Sequence, residues 1–112
     1  SCGTITRPHF DSYENVFVQV VGCKYVRLLA PSQGDKLYRC QGGAGGGTAA
    51  QGNVSEIFDL ENADPARFPL AARAEFWDAV LQPGDALYIP AHMWHYVRSL
   101  SVSFSVNFWF AP

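Results

Sequence analysis

His9-Phe10-Asp11 sets an imidazole and a carboxylate two positions apart. In an extended chain residues i and i+2 project from one face, so both can reach a single metal ion. Two His and one carboxylate on one face of an octahedron leave three positions open, the arrangement iron oxygenases use for a chelating cosubstrate and O2. Such a site requires a third ligand from elsewhere, and His95, in a strand-like run near the other end of the chain, can supply it. His92 lies three residues earlier, and strand alternation would not put both histidines at one site. A plainer reading of the same residues makes His9 and Asp11 a hydrogen-bonded surface pair and His95 a satisfied core histidine.

Other polar residues bear on the choice. Gly22-Cys23 sits between two apolar runs and reads as a two-residue hairpin loop with Gly first, as a type II′ turn wants. That register would pair Val21 with Lys24, Gln19 with Val26 and Phe17 with Leu28, so Asn15, Gln19 and Lys24 would share a face. A lysine there needs an anion if it is buried, and a small dicarboxylate chelating the metal would be one. Alternatively Lys24 ends a strand and snorkels to water. The last run alternates Ser103, Ser105, Asn107 and Trp109 against Phe104, Val106, Phe108 and Phe110. Its apolar side is expected to be core, and its polar side could line a cavity closed by Trp109. A three-residue loop at Ser99-Leu100-Ser101 would pair His95 with Ser105; a two-residue loop would pair it with Val106.

The elements that must hold these residues read as all-β. Runs rich in Val, Phe, Tyr, Trp and Ile recur between turn formers, giving expected strands over 13–21, 24–30, 76–81, 86–89, 93–99 and 102–110. Pro31, Gly34, Pro83-Gly84-Asp85 and Pro90 punctuate them. Asp64-Pro65 suggests one short helical turn, with Asp as cap and Pro first. The stretch 41–53, with five glycines in its first seven residues, reads as a flexible surface insertion. It is not a phosphate loop, because Thr48-Ala49-Ala50 stands where a Lys-Ser/Thr pair is needed.

With 112 residues, nearly half apolar, the chain is one domain or part of one. A net charge of −2 and the lack of any Lys/Arg run give no field for nucleic acid or an anionic membrane. No apolar stretch approaches membrane-helix length and no signal-peptide pattern opens the chain, so an intracellular protein, nuclear or cytoplasmic, is expected. Cys2, Cys23 and Cys40 lack paired spacing and read as reduced thiols.

Taken together, 3–11 around His9-Phe10-Asp11, 15–24 from Asn15 to Lys24, 81–90 around Pro83-Gly84-Asp85, Trp94-His95-Tyr96 and 103–109 resemble the jumonji-C oxygenases. The likeness is greatest to the branch of jumonji-domain-containing protein five and the small hydroxylases near it. It covers nearly the whole chain apart from the glycine stretch. The resemblance implies a double-stranded β-helix, the jelly-roll barrel of cupins, with Fe(II) held by His9, Asp11 and His95. It implies that Thr6 and Lys24 hold the distal carboxylate of 2-oxoglutarate, that Asn15 lies near its metal-binding end, and that Asn107 and Trp109 line the same pocket. Hydroxylation of a C–H bond would follow, of a protein side chain such as Arg, with succinate and CO2 as co-products. Histone lysine demethylation, tRNA-base hydroxylation, a non-catalytic binding module and a metal cupin are the competing readings. The resemblance also implies that 1–112 is the C-terminal portion of a jumonji-C catalytic domain, without an early barrel strand and a tyrosine that helps hold the cosubstrate. A piece of this kind would carry an open sheet edge and be poorly stable or inactive alone.

Overall fold

In the computed structural model, residues 3–40 and 52–112 are described; most of the glycine stretch therefore lies outside the described residues. Seven strands form: β1 (Ile5–His9), β2 (Glu14–Val21), β3 (Lys24–Leu29), β4 (Trp77–Leu81), β5 (Ala86–Ile89), β6 (Trp94–Ser99) and β7 (Phe104–Phe110). They make a four-stranded sheet in the order β1-β6-β3-β4 and a three-stranded sheet in the order β5-β2-β7, every pair antiparallel. This is the expected all-β jelly roll. Six strands fall where β-branched and aromatic runs put them. The extra one, β1, contains Pro8 and pairs with β6 through an irregular register.

Side-chain alternation gives each sheet two faces. Phe17 from β2, Val26 from β3, Leu81, Ile89 and Val97 meet as a buried cluster. On the other face of the four-stranded sheet, Leu29, Trp94 and Tyr96 bury against Leu37, Ile57, Leu60 and Phe68. Those last residues come from the irregular covering segments, which include 3-10 turns at Pro31–Leu37, Leu60–Asn62 and Ala71–Arg73. The Asp64 turn is present as one turn: Asp64 Oδ1 accepts from Ala66 N at 3.0 Å and its carbonyl from Phe68 N at 2.7 Å. Arg98 and Tyr96 both donate to Glu61, fastening the cover to β6.

Three expectations are corrected. First, Gly22-Cys23 is not a hairpin: β2 and β3 belong to different sheets, so Val21–Lys24, Gln19–Val26 and Phe17–Leu28 do not pair. The dipeptide is an arch between sheets, held by Cys23 N to Ser101 Oγ at 3.0 Å and Leu100 N to Cys23 O at 3.0 Å. Second, β6 and β7 also lie in different sheets, so His95 pairs with neither Ser105 nor Val106 but with Leu28 and His9. Third, the apolar side of β7 is not core. Phe104, Phe108 and Phe110 are 57%, 57% and 49% exposed on the outside of the three-stranded sheet. The register Asn15↔Trp109, Phe17↔Asn107, Gln19↔Ser105 turns the polar side inward, and a one-residue slip would be needed to reverse it.

Cys23 and Cys40 are free thiols, as expected. Among the described residues no helix is long and apolar enough to cross a membrane.

Gly22 sits at φ +69°, and a Cβ there would run into the Val102 carbonyl oxygen; Gly84 sits at φ +96° with open space around it. Gly84→Ala should cost about 1 kcal/mol from the left-handed backbone alone, and Gly22→Ala about 2–4 kcal/mol once overpacking is added. Thermal denaturation of the two variants measures the difference; equal losses would contradict the arch geometry.

Candidate metal centre

Pairing of β1 with β6 sets His9 directly opposite His95, although 86 positions separate them in the chain (95 − 9). Their rings lie 4.2 Å apart between centroids. Asp11, just past the end of β1, turns its carboxylate toward both: Oδ2 is 3.8 Å from His9 Nε2 and 3.7 Å from His95 Nε2. One ligand atom from each residue lies within 4.8 Å of the other two. The i, i+2 spacing and the distant third imidazole therefore converge as the sequence suggests.

Backbone carbonyls fix which nitrogen faces the centre. His9 Nδ1 is 3.0 Å from Arg7 O, and His95 Nδ1 is 3.0 Å from Met93 O. A carbonyl can only accept, so each Nδ1 carries a hydrogen, and the Nε2 of each ring is the nitrogen turned toward Asp11. This outer support is how metal-binding imidazoles are usually oriented. His95 is buried, and burial first, then the neighbouring His9, pushes its pKa down to about 4, which keeps it neutral and ready to ligate. The loop after β1 is clamped from outside, with Phe10 N donating to Asn53 O at 3.0 Å and Asn53 Nδ2 to Phe10 O at 3.1 Å. Asn53, read from the sequence as part of the flexible insertion, is thus pinned to the ligand loop. His92 is exposed, and its backbone N–H donates to Asp11 O at 2.8 Å.

Thr6, Asn15, Lys24, Asn107 and Trp109 all line one cavity of about 210 Å³ with the three ligands. Asn15, Gln19 and Lys24 do not share a face, because β2 and β3 lie in different sheets; Asn15 and Lys24 instead meet across the cavity, and Gln19 reaches Lys24 through Ser105. Asn15 is buried and its Nδ2 donates to Asn107 Oδ1 at 2.9 Å. Lys24 Nζ donates to Ser105 Oγ at 2.6 Å, and no carboxylate among the described residues pairs with it. Burial lowers its pKa from the usual lysine value. Ser105 had no role assigned from the sequence, although the alternation of β7 already put it beside Asn107 and Trp109. The carbonyls of Arg7 and Met93 leave no trace in side-chain types.

The donor set, two imidazoles and one carboxylate, fits Fe(II). A jelly-roll barrel with such a set at one end of its interior is a cupin with a candidate metal centre. The comparisons agree: the cupin-like domain model matches residues 1–112, and the chain belongs to that family, in its jumonji-C form. It is 43% identical over 109 residues to a lysine-specific demethylase of Arabidopsis thaliana, covering 97% of this chain and 24% of that one. It is 41% identical over 109 residues to lysine-specific demethylase 8 of Danio rerio, covering 97% and 25%. With human tRNA wybutosine-synthesizing protein 5 it shares 34% over 102 residues, covering 90% and 29%. The chain thus spans about a quarter of the length of the first two relatives.

His9→Ala and Asp11→Ala should each abolish retained iron, measured by elemental analysis after desalting; retention by either would remove it from the ligand set. In metal-free protein the His95 imidazole should stay neutral as pH falls, protonating near pH 4 rather than near the ordinary 6.5. An NMR titration reading a midpoint near 6.5 would contradict its burial.

Proposed function

We propose that this domain is the iron-holding part of a 2-oxoglutarate-dependent oxygenase that hydroxylates a C–H bond. The observation that carries the reading is the position of Lys24, an ammonium without a carboxylate partner among the described residues, on the same cavity as His9, Asp11 and His95. A half-buried cation without a counter-charge calls for an anionic ligand. A dicarboxylate chelating the metal at one end and meeting Lys24 and Thr6 at the other answers both ends of the cavity.

Asn15 Oδ1 is buried without a hydrogen-bond partner. Exchanging oxygen and nitrogen in both the Asn15 and Asn107 amides keeps their mutual bond and turns the Asn15 NH2 inward, where a cosubstrate oxygen would satisfy it. When bound, iron and 2-oxoglutarate supply the oxidising chemistry with O2. The chain's own contribution is to orient three ligands through the Arg7 and Met93 carbonyls, to neutralise the distal carboxylate with Lys24, and to line the cavity with Phe17, Val97 and Trp109, which limit water.

A second groove, of about 520 Å³, opens beside Asp11 and is lined by Ser12, Tyr13, Asn53, Trp109, Phe110 and Ala111. Aromatic faces suit a cationic side chain, whereas no Lys or Arg among the described residues lines the groove to meet a phosphate backbone. This favours a protein side chain, arginine or lysine, over a tRNA base. Relatives named as lysine demethylases support the methyl-lysine form, in which hydroxylation of an N-methyl carbon leads to its loss.

Succinate should form from 2-oxoglutarate under O2 with Fe(II), and mass spectrometry of peptide substrates should show a gain of one oxygen or the loss of a methyl. Lys24→Ala should raise the KM for 2-oxoglutarate on the order of tenfold to a hundredfold. No succinate from the iron-loaded whole protein with any peptide or tRNA would defeat the oxygenase reading in favour of a binding module.

A further inference from the structure

Gln19 is fully buried, and both hydrogens of its amide are committed: Nε2 donates to Val21 O at 2.8 Å and to Gly22 O at 3.0 Å. Those acceptors are carbonyls and cannot donate, so the amide cannot turn over without facing oxygen to oxygen. Its Oε1 is therefore fixed as an acceptor. Ser105 Oγ lies 2.7 Å away and donates its one hydrogen to Gln19 Oε1. With that hydrogen spent, the Ser105 oxygen can only accept, and Lys24 Nζ donates to it at 2.6 Å. The direction of every hydrogen from the β2–β3 arch to the ammonium is thereby determined.

The arch itself is rigid. Gly22 takes the left-handed conformation, and Cys23 is tied to Ser101 and Leu100. Lys24 is the first residue of β3, next to that arch, where a long side chain would otherwise have the freedom to swing toward water. One of its three N–H groups is anchored on Ser105, and its ammonium also lies 5.3 Å from the centre of the Phe17 ring. The remaining hydrogens serve the cavity.

We infer that Ser105 is a positioning residue for Lys24, aimed by Gln19, and that this chain sets the length of dicarboxylate the cavity accepts. The inference rests on the cosubstrate reading above. An ammonium held at one place relative to the metal ligands should prefer a diacid of one length, here the five-carbon 2-oxo acid, over homologues one carbon shorter or longer. An unanchored lysine would follow the anion and discriminate less.

The test uses the whole protein that carries this domain, loaded anaerobically with Fe(II). Binding of 2-oxoglutarate, oxaloacetate and 2-oxoadipate is followed by the visible charge-transfer absorption of the chelated iron, beside retained iron and melting temperature. Ser105→Ala should weaken 2-oxoglutarate binding about fivefold to twentyfold, narrow the preference over both homologues, and leave retained iron unchanged. Ser105→Thr, which keeps the hydroxyl, should restore affinity and preference. If Ser105→Ala binds all three acids as the parent does while Lys24→Ala is impaired, the positioning role is wrong and the cosubstrate reading stands. Unimpaired binding by Lys24→Ala overturns both, and loss of iron from Ser105→Ala shows a structural role in place of a positioning one.

Discussion

The antiparallel pairing of β1 with β6 is the interaction on which the candidate site depends. It sets the His9 and His95 backbones opposite each other, and it does so at the end of β1, where the next inward residue is Asp11. The two supporting bonds have the same form: each imidazole is steadied by the carbonyl two residues before it, Arg7 in one strand and Met93 just ahead of the other. Orientation of the ligands is thus a property of the strands themselves. A metal site built this way needs little help from side chains around it, apart from the clamp that Asn53 places on the loop after His9.

The interior of the barrel is divided along its length. Near Val26, Leu81, Ile89 and Val97 it is an ordinary apolar core, whereas toward Asn15, Gln19, Lys24 and Ser105 it is polar. Burying that many polar groups is tolerable only because they are spent on one another or on backbone, as Gln19 is, with the second polar atom of the Asn15 amide left without a partner. The cost shows on the opposite face. With the polar positions of β7 turned inward, its phenylalanines are left outside, so the three-stranded sheet has its greasier side in water.

How far the chain could be read follows from this division. Strand positions and the alternation of faces were legible, because β-branched and aromatic runs between Gly and Pro mark them whatever the strands pair with. The His9, Asp11 pair was legible from spacing, His95 stood out as a histidine able to complete it, and the jumonji-C likeness favoured that reading over a satisfied core histidine. What could not be read was which strands share a sheet. Gly22-Cys23 has the composition of a tight hairpin and equally that of an arch, and only the contacts with Ser101 and Leu100, far along the chain, decide between them. The inward side of β7 was misjudged for a related reason: apolar alternation identifies a core only where the barrel interior is apolar, and a cavity lined by polar side chains inverts the rule. Ser105 stood on the correct side of β7, but its hydrogen-bond partners come from strands that the hairpin reading had placed elsewhere.

All three candidate metal ligands belong to the four-stranded sheet or the loop that leaves it, whereas Asn15, Ser105, Asn107 and Trp109 are carried by the three-stranded sheet across the barrel. Lys24 and Thr6 stand on that same four-stranded sheet, so on the proposed reading a diacid reaching from an ion to Lys24 would be held at both ends by one layer and would meet the other through the residues that face it across the cavity. On that reading such a molecule would be a staple as well as a reactant. Its arrival would draw the two layers together by mass action, and its departure would let the barrel breathe while the ion stayed in place.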